Sequence, residues 1–504
     1  MPGRRPRHAA TGRGPAVILL GIDLGTQSLK VAAVDATSLR LRATAAVPYP
    51  TFHPGPAAAE QNPEDWLAAL APAIAAALNQ AGAMPADVLA LAVTGQLDGC
   101  VGVDRAGEPL GRAMIWMDRR ATDALGGIDG EMVRRRAGVV ADPGHMAAKI
   151  RHMKRHAPGH RLARFHQPVS FLVEQLTGRA VMDHALASTS MVYGLESRAW
   201  DDDLLRAFAI EAAALPALDD AAALAGHLTA RGAALCGLAQ GLPVAVGTGD
   251  DFANPIGAGA VTPGTVVVCI GTAEVVGAIA DRPVLDDAAM VETHGFPGGR
   301  YFIENPGWLS GGAILWACDL LGFADGEGLD IAAALVPPGS EGVVVLPTLS
   351  GAMTPRWLPE ARGAIYGLAP MHGRGHLARA TLEGIAFAMA DVVDRLDALG
   401  VPTGRIRLAG GGARSRLWAQ IRATVANRPV DLVAEVECAA LGAAVLAGVA
   451  CGALPSIEAG ARLVNRVVET VQPVAADVPA YRAARARARR LFDHLDPLFK
   501  ARWP

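Results

Sequence analysis

Charge imbalance is the first thing this chain of 504 residues lacks: the formal net charge is only −3. That offers no electrostatic case for a nucleic-acid or membrane partner. Cysteine is sparse and unpatterned. The six cysteines, at 100, 236, 269, 318, 438 and 451, form no CxxC pair and no Cys/His ligand spacing. This argues against a disulfide framework or a zinc site and fits buried thiols in a reducing cytoplasm. Long hydrophobic runs are missing too. The longest uncharged stretch of small residues, Cys438 to Leu454, is about 17 residues long and contains three glycines. It sits at the low edge for a bilayer span and reads as a buried helix. No apolar stretch precedes Val17, so no secretory signal is predicted. Residues 1–16, basic and rich in Pro and Gly, read as a disordered extension.

What is present is the profile of a globular chain, 51% hydrophobic and 19% charged, long enough for two or more domains. The stretch that organises it is Gly247-Thr248-Gly249-Asp250-Asp251, fed by the apolar strand Leu242 to Val246. Glycines at 247 and 249 permit a sharp turn, and an acid at such a strand end can face a cleft. Asp250 is thus a candidate general base, with Asp251 beside it. In an extended turn the two side chains are expected to point apart.

Two further loops supply what a base for phosphoryl transfer would need. Val17 to Ile22 is an apolar strand ending in Asp23, followed by Gly25-Thr26-Gln27-Ser28 and a returning strand. Such a turn offers N–H groups and hydroxyls to a phosphate, and Asp23 could hold a Mg²⁺ that bridges to it. Half a chain later Thr265 to Ile270, Gly271-Thr272-Ala273-Glu274 and Val275 to Ile279 repeat the pattern, with Cys269 where the first copy has Asp23. Two similar domains are predicted, 17–258 and 259–504, with a boundary and hinge near Ala258 to Pro263. A third Gly-rich loop, Gly410 to Ser415, lies between a strand and a helix, where backbone can pass close to a ligand.

Elsewhere, Asn62-Pro63-Glu64-Asp65 starts a helix that Pro72 should kink or break. Two successive strands deliver Thr94 to Gly99 and Trp116 to Arg120. Residues 120 to 235 read as mostly helical, and Lys149 reads as part of a solvated basic helix face.

Together these pieces resemble the FGGY carbohydrate kinase family, xylulokinase-like branch. The match runs from Val17 to about Gly452 on GIDLGTQSLK (21–30), TGQLDG (94–99), IWMDRR (115–120), GTGDDFANPIGAG (247–259), CIGTAE (269–274), LSGAMTP (349–355), LEGIAFAMAD (382–391) and LAGGGARSRLW (408–418). The resemblance implies an α/β fold of two actin-like (ribonuclease H-like) domains around a cleft, with ATP and Mg²⁺ as cofactors. It implies Asp250 as catalytic base and Asp23 as the Mg²⁺-linked acid. Gly25, Thr26, Gln27, Ser28, Gly271 and Thr272 would meet phosphates. Gly411, Gly412 and Ser415 match the adenosine region, with Gly311 and Gly312 near the adenine. Gln96, Leu97, Asp98, Asp118, Asp250 and Asp251 would meet a small-molecule sugar or polyol. A homodimer is common among such relatives.

The departures bear on the substrate. Xylulokinases typically read Gly-Gln-Met-His-Gly at 95–99, where this chain has Leu97 and Asp98, and Asn at the position of Asp251. Carboxylates accept hydrogen bonds and do not donate them. They suit hydroxyls and oppose a carbonyl oxygen, so a linear polyol, or a sugar read through its hydroxyls, is expected. A ketopentose kinase, and an ATP-binding module without kinase activity, stand as alternatives.

Overall fold

In the computed structural model, which describes residues 17–156 and 162–501, the opening apolar run becomes β1 (Ile18–Leu24), buried along almost its whole length. An unbroken aliphatic strand needs cover on both faces. It pairs antiparallel with β2 (Ser28–Asp35), which pairs with β3 (Leu41–Pro48), and on its other side runs parallel to β4 (Val88–Gly95). With β5 (Leu224–His227) and β6 (Pro243–Ala245) the sheet order is β5-β6-β4-β1-β2-β3, and β7 (Thr248–Gly249) adds to the end of β4. The extension 1–16 lies outside the described residues.

A second mixed sheet comprises β8 (Thr265–Ile270), β9 (Ala273–Ala280), β10 (Glu292–Phe296), β11 (Arg300–Leu309), β12 (Arg405–Ala409), β13 (Val430–Val433) and β14 (Val467–Val471). Its order is β10-β11-β9-β8-β12-β13-β14. The hairpin β8/β9 beside the parallel β12 reproduces β1/β2 beside β4. The repeat in the sequence is therefore a repeat of topology. Asp23 sits between Lys30 and Thr94, and Cys269 sits at the matching place between Val275 and Ala409.

Helix α1 (Pro63–Ala81) runs through Pro72 without the expected break. Proline at 72 removes the N–H that would pair with the carbonyl of Ala68. Both residues are exposed, so water can take that carbonyl, while Trp66, Leu70 and Ile74 bury the opposite face. After α2 (Met146–His156), the stretch expected to be mostly helical also carries short pairings, among them Arg164–His166 with Val101–Val103 and Val181–Asp183 with Ala217–Asp219. Strands of three residues are too short for alternation to show in sequence.

Further helices include α3 (Asp250–Gly257), α4 (Gly311–Leu321), α5 (Arg374–Ala398), α6 (Arg416–Ala426), α7 (Cys438–Ala450) and α8 (Val478–Lys500). None of the helices among the described residues is long and apolar enough to cross a membrane. Helix α7 is buried from Cys438 to Gly448, as its lack of charge predicts. It packs on β1, β4 and α3, far back in the sequence. The contact is backbone to backbone. A Cβ added at Gly257 would stand 1.8 Å from the Cys438 carbonyl oxygen, one at Gly442 2.1 Å from that of Ala253, and one at Gly21 1.8 Å from that of Ala440. Gly442→Val should therefore cost at least about 1–3 kcal/mol of stability, as overpacking a tight core does. Urea unfolding against wild type measures it, and an unchanged midpoint would contradict the close approach.

Candidate active site

Three strands end side by side at one edge of the first sheet. Leu24 pairs with Gly95, and Gly95 with Gly249. Behind them Asp23 lies beside Thr94, which lies beside Thr248. The Thr248 hydroxyl donates to Asp183 at 2.9 Å, which anchors β7 from below. Gly247 has φ +76°, and a Cβ there would fall 2.0 Å from the Val93 carbonyl oxygen, so only glycine can bring the chain across β4.

Asp250 and Asp251 are not in an extended turn. Gly249 is the N-cap residue, and both acids occupy the first turn of α3. Unpaired N–H groups at a helix start favour acids there. Successive helical residues project about 100° apart rather than to opposite sides. Burial raises Asp250 well above the usual carboxylate range, and the charge of Asp251 adds to it. Asp251 is raised by burial and then by Asp98. Asp23 is pushed up to about 7 by burial and next by Asp250, with Lys30 opposing. Its Oδ1 is closed off from solvent and has no partner among the described residues.

Glu304 on β11 joins this group from the second half of the chain. Burial drives it far above its ordinary range, followed by Asp251, Glu292, Asp250 and Asp98. The sequence reading missed Glu304 and Glu292. An acid inside the apolar run Tyr301-Phe302-Ile303-Glu304 was the available signal.

Asp98 has φ 61°, in the left-handed region. Its N–H donates to Gln167 Oε1 at 2.7 Å and its carbonyl accepts Lys149 Nζ at 2.7 Å. Its Oδ2 lies 3.0 Å from His145 Nδ1, while Oδ1 is buried without a hydrogen-bond partner among the described residues. Lys149 is thus not solvated. It is fully buried, also donates to the Gly144 carbonyl, and burial lowers it to about 8. The apolar residues Met146, Ala147, Ala148 and Ile150 around it bury this turn of α2, and two backbone carbonyls receive the ammonium.

Gln96 is buried. Its Nε2 donates to Gln61 Oε1 at 2.8 Å and its Oε1 has no partner, while Leu97 is half-buried beside Gly249. Asp118 is fully buried and committed to protein, accepting from Arg120 Nη2 at 2.7 Å and from the Ala59 N–H at 2.9 Å.

In the first Gly-Thr turn, the Gly25 N–H donates to the Ser28 carbonyl at 3.1 Å, and Thr26 Oγ1 accepts from Trp116 Nε1 at 2.9 Å. Gln27 at the tip is exposed. In the second, Gly271 and Thr272 are exposed, and their carbonyls hold the N–H groups of Gly311, Ser310 and Gly312. A Cβ at Gly311 would lie 2.3 Å from the Gly271 carbonyl oxygen and one at Gly412 2.2 Å from Ile270 Cγ2, so these glycines serve packing. Gly411 has nothing within 4 Å on its open side. Ser415 caps α6, its Oγ accepting the Trp418 N–H at 3.0 Å and donating to Asp330.

Residues 18–257 match the N-terminal domain of the FGGY family of carbohydrate kinases, and residues 266–451 match its C-terminal domain. The chain belongs to the FGGY family. It is 31% identical to the xylulose kinase of Escherichia coli (strain K12) over 95% of this chain and 99% of that one. It is 34% identical to a glycerol kinase of Geobacter sp. (strain M21) over 86% and 90%. The structure of xylulose kinase from Rhodospirillum rubrum superposes with a TM-score of 0.84 at 29% identity, covering 96% of this chain and 99% of that one. The fold is accordingly the two-domain α/β, actin-like fold of these kinases. The chain is an ATP-dependent phosphotransferase acting on an alcohol group of a sugar or polyol.

The FGGY cleft concentrates acids that would prefer to be neutral. A raised Asp23 favours folding below the ordinary Asp range and loses that contribution as pH rises toward about 7. Asp23→Asn should therefore melt a few degrees above wild type at pH 8, the gap closing toward pH 4. Thermal denaturation of the ligand-free protein at both pH values is the check, and equal melting at pH 8 would contradict the burial cost.

Proposed function

We propose that this kinase phosphorylates a small neutral polyol, or a sugar read through its hydroxyls, with Asp250 as general base. The observation that carries the acceptor class is the buried, unpartnered Oδ1 of Asp98, near enough to Asp251 to raise it. Held as a carboxylate, Asp98 accepts hydrogen bonds and does not donate them, which suits hydroxyl donors and opposes a carbonyl oxygen. Gln96 Oε1 is likewise buried without a partner among the described residues. Asp118 would bear on the acceptor by holding Arg120 and residue 59 in place.

In the proposed reaction the acceptor hydroxyl lies against Asp250. As its oxygen attacks the γ-phosphorus of ATP, its proton passes to the Asp250 carboxylate and the bond to ADP breaks. The turns Gly25-Thr26-Gln27-Ser28 and Gly271-Thr272 would orient the phosphates through N–H groups other than those of Gly25 and Gly271, which the Ser28 and Ala273 carbonyls already hold. The open face at Gly411, with Gly412, Ser415, Gly311 and Gly312 shaping the backbone, would receive the nucleoside. Asp23 fits a divalent cation, because its Oδ1 is buried without a partner and its charge is disfavoured. Mg²⁺ bound there, largely through water, would supply charge neutralisation for the phosphates. The lobes 17–258 and 259–504 would close about Ala258 to Pro263 and exclude water. All six thiols are unpaired, which fits a cytoplasmic setting. A homodimer is proposed from the family resemblance alone.

A second reading, a D-xylulose kinase, is favoured by the near full-length match to the Escherichia coli xylulose kinase. An ADP-release assay over tetritols, pentitols, glycerol and ketopentoses separates the two. Preference for a polyol is expected, and efficient turnover of D-xylulose with polyols ignored would sink the first reading. Asp250→Asn should lose at least about 10²-fold in kcat while still binding ATP. Because Asp250 and Asp251 are raised together, wild-type kcat/KM should climb with pH across neutrality and fall as the base is protonated. A flat profile, or near-normal turnover by the variant, would remove Asp250 from this role.

A further inference from the structure

His145 has no part in the chemistry above, yet it is buried against the residue that carries the acceptor reading. Its Nδ1 is 3.0 Å from Asp98 Oδ2, and its Nε2 is 3.8 Å from Glu292 Oε1. Glu292 belongs to the second sheet and is itself held by the Val140 N–H at 2.7 Å. Lys149 ties the carbonyl of Asp98 to that of Gly144, the residue before His145. The Asp98–His145 contact is therefore set by backbone stitching and does not wait for a ligand.

We propose that His145 is a positioning residue for acceptor choice: its Nδ1–H holds Asp98 Oδ2, keeps Asp98 a carboxylate, and leaves Oδ1 as an acceptor-only contact. The inference rests on the reading of Asp98 as an acceptor contact. A carboxylate shut away from water beside other acids takes up a proton unless a cationic or donor group opposes it. The groups facing Asp98 are His145, Lys149, the Thr189 hydroxyl, His294, Asp251 and Glu304, and those facing His145 are Asp98, Glu292 and His294. Burial alone would raise Asp98, but the pull of His145 and then Lys149 holds it below its ordinary range. Without His145 the carboxyl would be held less firmly as an anion and its Oδ2 would lose its donor; a protonated carboxyl could donate to a carbonyl oxygen, so selection of hydroxyls over carbonyls would weaken.

The test is steady-state kinetics with a pentitol and a ketopentose for wild type, His145→Leu, His145→Asn, Asp98→Asn and the Asp98→Asn/His145→Leu pair. His145→Leu should raise the acceptor KM about tenfold, leave the ATP KM within about twofold, and cut the pentitol preference about tenfold, the scale of one lost charge-assisted hydrogen bond. His145→Asn, whose side-chain N–H₂ can replace the Nδ1 donor, should recover most of this. In the Asp98→Asn background His145→Leu should add nothing further. Equal shifts in both KM values, no rescue by asparagine, or additive losses would each overturn the proposal. If wild type prefers the ketopentose, the polyol reading falls, while the KM split and the non-additivity still judge His145. Ring ¹⁵N NMR reads the pair without turnover. A protonated His145 Nδ1 that changes in Asp98→Asn supports the contact, and an unprotonated Nδ1 in wild type refutes it.

Discussion

The structure depends on one contact in which side chains have been removed to let backbones meet. Helix α7 lies on β1 at Gly21 and crosses α3 at Gly257 and Gly442, with carbonyl oxygens where a Cβ would have to go. Asp250 and Asp251 stand at the first turn of α3, and Asp23 stands at the end of β1. A single helix from near the end of the chain therefore sets the spacing of acids that are more than two hundred positions apart. Packing at this density has little room to relax, so the two elements move together or not at all. The surrounding residues of α7 are mostly alanine and aliphatic, which supplies burial without bulk.

Fixing those acids has an electrostatic consequence. Asp23, Asp250, Asp251 and Glu304 are each raised by burial, and each is raised further by another acid of the group or by Asp98. A fold built only for stability would not gather them. They persist because the support beneath them is strong: the α3–α7 crossing, the Asp183–Thr248 anchor of β7 and the buried Lys149. Asp98 differs from its neighbours in sign, because His145 and Lys149 outweigh its burial. The cleft thus holds one carboxylate stabilised as an anion among several that lean toward neutrality. On the proposed reading, such a spread lets a base and a binding acid coexist in one site.

Much of this was legible in the residues. Continuous aliphatic runs marked β1 and β8, and repeated Gly-Thr turns marked the twofold architecture, because strand-turn-strand chemistry is local. The uncharged stretch after Cys438 was legible as a buried helix, but not as a helix that crosses into the other half, since nothing local encodes a partner so far away. Lys149 was misread for a related reason. A lysine among His and Arg looks solvated until a distant loop, here Asp98, brings a carbonyl to it. Pro72 was misread because tolerance of a helical proline depends on whether the freed carbonyl meets water, a tertiary fact. Asp250 and Asp251 were placed at the right strand end in the wrong conformation, as a Gly-rich run reads as turn while a helix start accepts it equally well.

The two halves share a topology but have diverged in charge. Where the first half ends β1 with Asp23, the second has Cys269, and its acid is displaced to Glu274 on the returning strand. Glu274 is wholly buried and paired with Arg422, with Nη1 to Oε1 at 2.9 Å, and it accepts the Ser310 hydroxyl at 2.7 Å. A buried pair of this kind adds little net stability over apolar packing, but losing one partner strands the other charge. Its effect is to tie β9, the start of α4 and α6 into one unit directly beneath Gly271 and Thr272. The second turn, exposed at Gly271 and Thr272, thereby carries no free carboxylate. On the proposed reading this asymmetry divides the labour. One hairpin carries the acid that could hold a cation, and its copy, freed of that acid, can approach phosphate without repulsion.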